Sequence, residues 1–328
     1  MARTGGSNSS RFSRFTAKDK DGEMIGNIIQ LEKVRMAYKN GVLKQSYLIT
    51  GPWDIGKKDF AMAFSAMMFC ETNDNCGTCK GCKKTGNLSN PDFYILNEDG
   101  QIKIDSIREL NKNINLKPYE FERKVALIIG AEKMTTEAAN SLLKILEEPP
   151  EDSIIILTSA VPGQLLETIK SRCQDIKLKN VPKKVIIDEL TKNHGLENDE
   201  ALRIATIALG RPKLAESLAV NDDYGEEVEF LREITKKNLC ERFKLAADFA
   251  EKKNILRLIG YWETFFMDLL KAKINGHDDL LTTKYKVKDF SWGVRSIVNI
   301  LDILEKMREY IQSKIKNKLI LENIFLNI

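Results

Sequence analysis

Ser46-Tyr-Leu-Ile-Thr50, followed by Gly51-Pro-Trp-Asp-Ile-Gly-Lys-Lys58 and then Asp59-Phe-Ala-Met-Ala-Phe-Ser-Ala-Met-Met-Phe69, is the stretch that decides the fold. Its first five residues form a short apolar, β-rich run, and Lys57 to Phe69 crowds Ala, Met and Phe into a helix-like segment. Between them stands the frame of a phosphate-binding loop, G-x-x-x-x-G-K. In that motif backbone N–H groups cradle phosphates, the lysine reaches the β and γ oxygens, and a following Ser or Thr hydroxyl ligates Mg2+. Gly51, Gly56 and Lys57 hold their places, but Lys58 stands where the hydroxyl belongs. A second ammonium offers the metal no oxygen and repels it. Asp59 carries oxygens but comes one residue late, which points it off the ligand side of the helix. The loop keeps the means to grip a phosphate, and efficient metal-assisted hydrolysis is not expected. Whether ATP binds is left open, because a Gly–Gly turn between strand and helix also arises without a ligand.

Outward from this unit the alternation continues. Asp92–Leu96 reads as a strand, Ile104–Leu110 as the start of an amphipathic helix, and Lys124–Ile129 as an apolar strand buried on both faces. Thr135–Glu148 carries Leu142, Leu143, Ile145 and Leu146 at helical spacing, with Thr135 or Thr136 to cap it and Pro149-Pro150 to stop it. Ser153–Thr158 is a further strand, Pro162–Lys170 a helix, and Gln174–Leu178 a last strand. Strands alternating with helices predict a doubly wound α/β domain with a parallel sheet. From Pro182 onward the β signal vanishes, and no internal repeat is found. The division expected is a flexible Gly/Ser-rich tail over residues 1–24, the α/β domain over 25–181, a small helical lid over 182–222 and an all-α collar over 223–328.

Four of the six cysteines, Cys70, Cys76, Cys79 and Cys82, form a C-x5-C-x2-C-x2-C array. Two-residue gaps let successive thiolates turn toward one tetrahedral ion, and Gly77 and Gly81 supply the tight backbone of such knuckles. A closed site of four cysteines has no open coordination position, so a structural Zn2+ is expected. Cys173 and Cys240 stand apart and read as packed or inert.

The chain of 328 residues, 43% apolar, is long enough for two or three domains with ordinary cores. The net charge of +4 is a small difference between 51 basic and 47 acidic side chains, and neither demands nor excludes nucleic acid. No apolar run approaches the ~20 residues of a membrane span. With no apolar h-region at the amino terminus, a cytoplasmic protein with no membrane partner is expected. His194 and His277 are the only histidines, both in polar turns, so histidine-based catalysis is not expected.

Asn140-Ser-Leu-Leu-Lys-Ile-Leu-Glu-Glu-Pro-Pro150, taken with Ser171-Arg172-Cys173, resembles the bacterial clamp-loader subunits of the AAA+ class, over about residues 25–220. A four-cysteine zinc module inserted after the helix of the phosphate loop is also a trait of that family. The resemblance implies a part in the DNA polymerase III machinery that places a ring-shaped sliding clamp on primed DNA. The implied partners are gamma/tau motor and delta subunits and, through the complex, clamp and DNA. The departures point to the non-hydrolysing stator type. The motor's strand ends in Asp-Glu to hold the metal and polarise water, whereas those places here are Ile129 and Gly130. Glu132, two residues on, is not expected to substitute. The lid arginine is replaced by Lys213, which keeps charge without the planar fork. The first two cysteines also stand closer together than the family usually has them. Arg172 is the group the resemblance marks for catalysis: an arginine finger offered to a neighbouring subunit's ATP. Asn140, Glu147 and Glu148 are read as scaffold and interface. The alternatives are an active gamma-type ATPase, and a zinc-bearing adaptor of AAA+ descent outside replication.

Overall fold

The computed structural model describes residues 25–328 apart from 99, 221–223, 253–254, 277–280, 282–284 and 313–315. The expected tail over 1–24 and His277 therefore lie outside the described residues. The helices are α1 (Ile28–Lys39), α2 (Lys57–Met68), α3 (Lys80–Gly86), α4 (Ile104–Ile114), α5 (Thr136–Glu147) and α6 (Glu167–Lys170), then α7 (Lys183–Asn193), α8 (Asn198–Ile207) and α9 (Pro212–Val220). They continue with α10 (Tyr224–Ile234), α11 (Leu239–Lys252), α12 (Ile255–Asn275), α13 (Val294–Gln312) and α14 (Asn317–Asn327).

The strands β1 (Ser46–Thr50), β2 (Phe93–Leu96), β3 (Lys124–Ile128), β4 (Ser153–Ser159) and β5 (Gln174–Lys177) form one parallel sheet in the order β2-β3-β4-β1-β5. All residues of β1, β3 and β4 are buried, which is why those strands read as continuous apolar runs and not as alternations. The two-residue period of the strand sorts their side chains into two cores. Tyr47, Ile49, Val125, Leu127, Ile154 and Ile156 meet Phe60, Phe64 and Met67 of α2 on one face. Leu48, Ala126, Ile128, Ile155 and Leu157 meet Ile107 and Leu110 of α4 and Leu142 and Ile145 of α5 on the other. Both faces of the sheet are thus covered by helices.

The Thr135 hydroxyl accepts the Ala138 N–H at 3.2 Å, capping α5 as its sequence position allows. The expected helix over Pro162–Lys170 is not continuous. Pro162–Gln164 forms a single 3-10 turn, Leu165 and Leu166 are extended, and only Glu167–Lys170 is α-helical. The break turns Leu165 into the core alongside Ile169.

Among the described residues every strand lies before Leu178, and the chain from Lys183 onward is helical. Helix α12 is apolar almost all round: Leu258, Ile259, Tyr261, Trp262, Phe265, Phe266 and Leu269 are all buried. A helix of that kind belongs at the centre of a bundle. Trp262 packs with Phe230 and Phe325, from α10 and α14. The core on the α2 face runs without interruption through Leu214 and Leu218 of α9 into this aromatic cluster.

Candidate functional site

The phosphate loop lies between β1 and α2, at the carboxyl edge of the sheet. A Cβ at Gly51 would stand 2.9 Å from the carbonyl oxygen of Leu178, and Gly56 has φ +89°, so both positions require glycine. Lys57 turns back over the loop: its Nζ donates to Gly51 O at 2.9 Å and Pro52 O at 2.6 Å. Burial pulls its pKa down to about 8, opposed by the carboxylates of Glu132 and Asp54 and reinforced by Arg308. Lys58 occupies the first turn of α2. The Asp59 carboxylate meets Lys213 Nζ at 2.7 Å. Lys213 also pairs with Glu216 at 2.7 Å, and its N–H donates to Asp54 O at 3.0 Å. Burial works against the charge on Lys213, but these two carboxylates outweigh it and raise the pKa.

Ile129 and Gly130 follow β3, and the Gly130 N–H donates to Thr158 Oγ1 at 3.0 Å. Neither residue supplies a carboxylate. Glu132 lies nearer the loop than its sequence position suggests. Its Oε1 accepts the Ala160 N–H at 3.2 Å, and its Oε2 is buried without a hydrogen-bond partner among the described residues. This is the carboxylate that acts most strongly on the charge of Lys57.

A buried ion network behind the loop went unread in the sequence. Arg308 of α13 is 1% exposed; its Nε meets Glu263 Oε1 at 2.7 Å and its Nη1 meets Asp54 Oδ2 at 3.5 Å. Arg211 reaches the other Glu263 oxygen at 3.3 Å and donates to Thr264 Oγ1 at 2.7 Å. The Trp53 ring lies between two cations, 5.7 Å from Lys57 Nζ and 5.8 Å from the Arg308 guanidinium. A signal was present: Ile297, Ile300, Leu304 and Met307 mark the apolar stripe of α13, and Arg308 falls on it.

The sulfurs of Cys70, Cys76, Cys79 and Cys82 all lie within 4.8 Å of one another. Tetrahedral Zn–S bonds of about 2.3 Å place sulfurs about 3.8 Å apart, so the group fits one metal ion. The closer spacing of the first pair does not remove Cys70 from the cluster. Backbone N–H groups point at the sulfurs in succession: Cys76 N to Cys70 Sγ at 3.5 Å, Cys79 N to Cys76 Sγ at 3.4 Å and Cys82 N to Cys79 Sγ at 3.4 Å. Such donors favour thiolates, the form that binds metal. The Thr78 hydroxyl and the Cys79 N–H bring the Cys76 pKa down to about 6, whereas burial raises that of Cys82. The module is tied to the α/β body by Glu120, which pairs with Lys80 at 2.7 Å and Lys84 at 2.5 Å. Of the other two cysteines, Cys173 is packed against the core on the α5 face, and burial raises its pKa to about 12. Cys240, in the first turn of α11, is exposed, so of the two readings, packed or inert, it is not the packed one.

Arg172 follows α6 at the surface. Its Nη2 meets Glu147 Oε1 at 2.6 Å and its Nη1 donates to Thr168 O at 3.0 Å. His194 is exposed at the end of α7, as a solvated turn residue should be.

A glycine loop joining strand to helix, on a five-stranded parallel sheet covered by helices on both faces and followed by helical segments, defines a nucleotide-loop domain of AAA+-like fold. Residues 27–182 match the family model described as "DNA polymerase III, delta subunit". The chain is 30% identical to DNA polymerase III subunit delta' of Bacillus subtilis over 73% of its length and 75% of the relative's. It is 31% identical to the delta' subunit of Pseudomonas aeruginosa over 65% of this chain and 66% of the relative. A subunit tau of Bacillus subtilis is 30% identical over 51% of this chain and 31% of the relative. The chain belongs to the delta' family of DNA polymerase III subunits.

Proposed function

We propose that this protein is the non-hydrolysing stator of a clamp loader, which helps open a sliding clamp and place it on primed DNA. It works beside gamma/tau-type motors and a delta-type subunit. The observation that carries the reading is the chemistry left around the phosphate loop. Lys58 replaces the Mg2+-binding hydroxyl, Ile129 and Gly130 replace the paired carboxylates, and the Lys213 ammonium is held by Asp59 and Glu216. Metal-assisted hydrolysis needs a held Mg2+ and an oriented water, and these side chains supply neither. Lys57, bonded to two loop carbonyls, serves as an internal strut of the turn.

The catalytic contribution is then made in trans. Arg172 stands outside the chain's own phosphate loop, at the surface. In a ring of related subunits its guanidinium would reach a neighbour's γ-phosphoryl group and stabilise the charge that develops during transfer. Structural Zn2+ on Cys70, Cys76, Cys79 and Cys82 would brace the segment after α2. The helices from Tyr224 onward would form the collar through which the subunit joins the ring, and α7–α9 the lid.

The test is ATP hydrolysis by a reconstituted ring on primed DNA, with wild-type chain or Arg172→Ala, alongside hydrolysis by the isolated chain. The expected results are no appreciable turnover by the isolated chain and slower turnover by the ring carrying Arg172→Ala. Arginine fingers contribute on the order of 10³–10⁵ in rate at the site they serve. The bulk effect will be smaller, because other motor sites draw arginines from other subunits. Mg2+-dependent turnover by the isolated chain overturns the stator reading in favour of a gamma-type ATPase. Equal ring rates with confirmed assembly leave a purely structural stator.

A further inference from the structure

Glu147 is the last residue of α5, and its carboxylate is the only acidic group paired with Arg172 among the described residues, at 2.6 Å. The guanidinium is fixed on two sides. Nη2 is on Glu147, while Nη1 is on the carbonyl of Thr168 at 3.0 Å and within 3.4 Å of the Ser171 hydroxyl. The side chain is thereby two-thirds covered, with 33% of its surface exposed. It lies against the carboxyl end of α5, where the helix dipole favours a cation. A guanidinium has five N–H donors in a rigid fork. These contacts leave Nε–H and one hydrogen on Nη2 for a group arriving from outside.

We propose that Glu147 is a positioning residue for Arg172, holding the guanidinium in the orientation from which it meets an anionic phosphoryl group on a neighbouring subunit. The inference rests on the trans role of Arg172 proposed above and adds a second residue to it. Two effects of the carboxylate oppose each other. It offsets part of the positive charge, and it removes the rotamer freedom of a long side chain. Glu147 is 50% exposed, so solvent screens the charge it sets against the incoming phosphate. The ordering rests on a direct 2.6 Å contact backed by the two anchors on Nη1, and we take it to outweigh the screened charge. A displacement of about 1 Å in a positioning contact costs on the order of 10²-fold in rate. A carboxylate that only restrains an already anchored arginine should be worth about tenfold.

The experiment measures steady-state ATP hydrolysis by the reconstituted ring on primed DNA with five versions of this chain: wild type, Glu147→Gln, Glu147→Ala, Arg172→Ala and the double variant Glu147→Ala/Arg172→Ala. The expected result is a loss of kcat, up to about tenfold at the served site, for both Glu147 variants, with KM for ATP unchanged. The two Arg172→Ala chains should be indistinguishable, because a residue acting only through Arg172 has nothing left to position. Glu147→Gln keeps the shape of the side chain and serves as the folded control should Glu147→Ala fail to assemble. A slow Arg172→Ala ring together with wild-type rates for both Glu147 variants overturns this inference and leaves the finger standing. Faster hydrolysis with Glu147→Gln overturns it in favour of a brake. An Arg172→Ala ring as fast as wild type fails the underlying reading instead.

Discussion

Arg308 and Asp54 stand 254 positions apart in sequence and 3.5 Å apart in space, joining the last third of the chain to the phosphate loop. Gly260 makes room for the contact, since a Cβ there would lie 2.9 Å from Arg308 Nη2. Glu263 gives one oxygen to Arg308 and the other to Arg211, so one carboxylate holds two buried cations together. The loop is therefore clasped from behind by helices that share no sequence neighbourhood with it.

Arg308→Met should destabilise the protein by about 3 kcal/mol. Methionine fills much of the volume, but Glu263 and Asp54 lose a buried partner, and breaking such a pair costs about 3–5 kcal/mol. Glu263 keeps Arg211, which places the expectation at the low end. Adding Glu263→Gln should cost less than the two single changes summed, because it neutralises the carboxylate that Arg308→Met strands. Urea midpoints give the stabilities. Amide exchange of residues 52–57 should accelerate in Arg308→Met, and unchanged exchange there would show that the clasp does not restrain the loop.

The pKa of Lys57 makes stability depend on pH in a definite direction. Burial lowers it to about 8, below the ordinary lysine value of 10.5. Below about pH 8 the amine is protonated in both folded and unfolded chains. Between about 8 and 10.5 the unfolded chain binds the extra proton, so this residue's contribution to stability rises with pH. Wild type should gain on Lys57→Met across that window and hold a constant difference below it. Parallel denaturation curves from pH 7 to 10.5 measure this, and a difference that shrinks with rising pH would reverse the assignment.

Much of the α/β part was legible in sequence because its determinants are local. Ser46–Thr50 reads as a β-rich run, Lys124–Ile129 as a strand buried on both faces and Thr135 or Thr136 as the cap of α5, and the knuckle cysteines carry their own spacing. The break inside Pro162–Lys170 was not legible, because it depends on where Leu165 finds its core. Arg211, Glu263 and Arg308 were hidden for a related reason: each is an ordinary charged residue until three distant helices meet. Glu132 was dismissed by counting along the strand, although the turn after Gly130 brings it back toward Lys57. The pairing of Arg172 with Glu147 crosses two elements, and no spacing announces it.

Restoring the missing hydroxyl with Lys58→Ser should not create an ATPase. The change offers Mg2+ one oxygen, but Ile129 and Gly130 still contribute none, and Glu132 has one oxygen engaged by the Ala160 N–H. Phosphate release should stay at the level of the unmodified chain. Turnover comparable with a motor subunit would mean that the free oxygen of Glu132 can hold the metal, and Glu132→Gln in the same background should then abolish it.

The cysteine module separates two kinds of glycine. Gly77 has φ +71° with nothing within 4 Å of its added Cβ, so Gly77→Ala meets only backbone strain, about 1–2 kcal/mol. At Gly81 the same atom would fall 1.8 Å from the carbonyl oxygen of Phe69, a backbone group that cannot rotate away. Helix α3 must then shift off the end of α2, carrying Cys79 and Cys82 from Cys70 and Cys76. Gly81→Ala should therefore weaken Zn2+ retention far more than Gly77→Ala, because affinity depends on four sulfurs meeting one tetrahedron. Competition with a chromogenic chelator reads the affinity, and thiol titration counts the cysteines released. Wild-type chain should carry about one Zn2+ and release four thiols only when the metal is stripped. Equal retention in the two glycine variants would show that α3 tolerates displacement, and absence of tightly bound metal from wild type would remove the site.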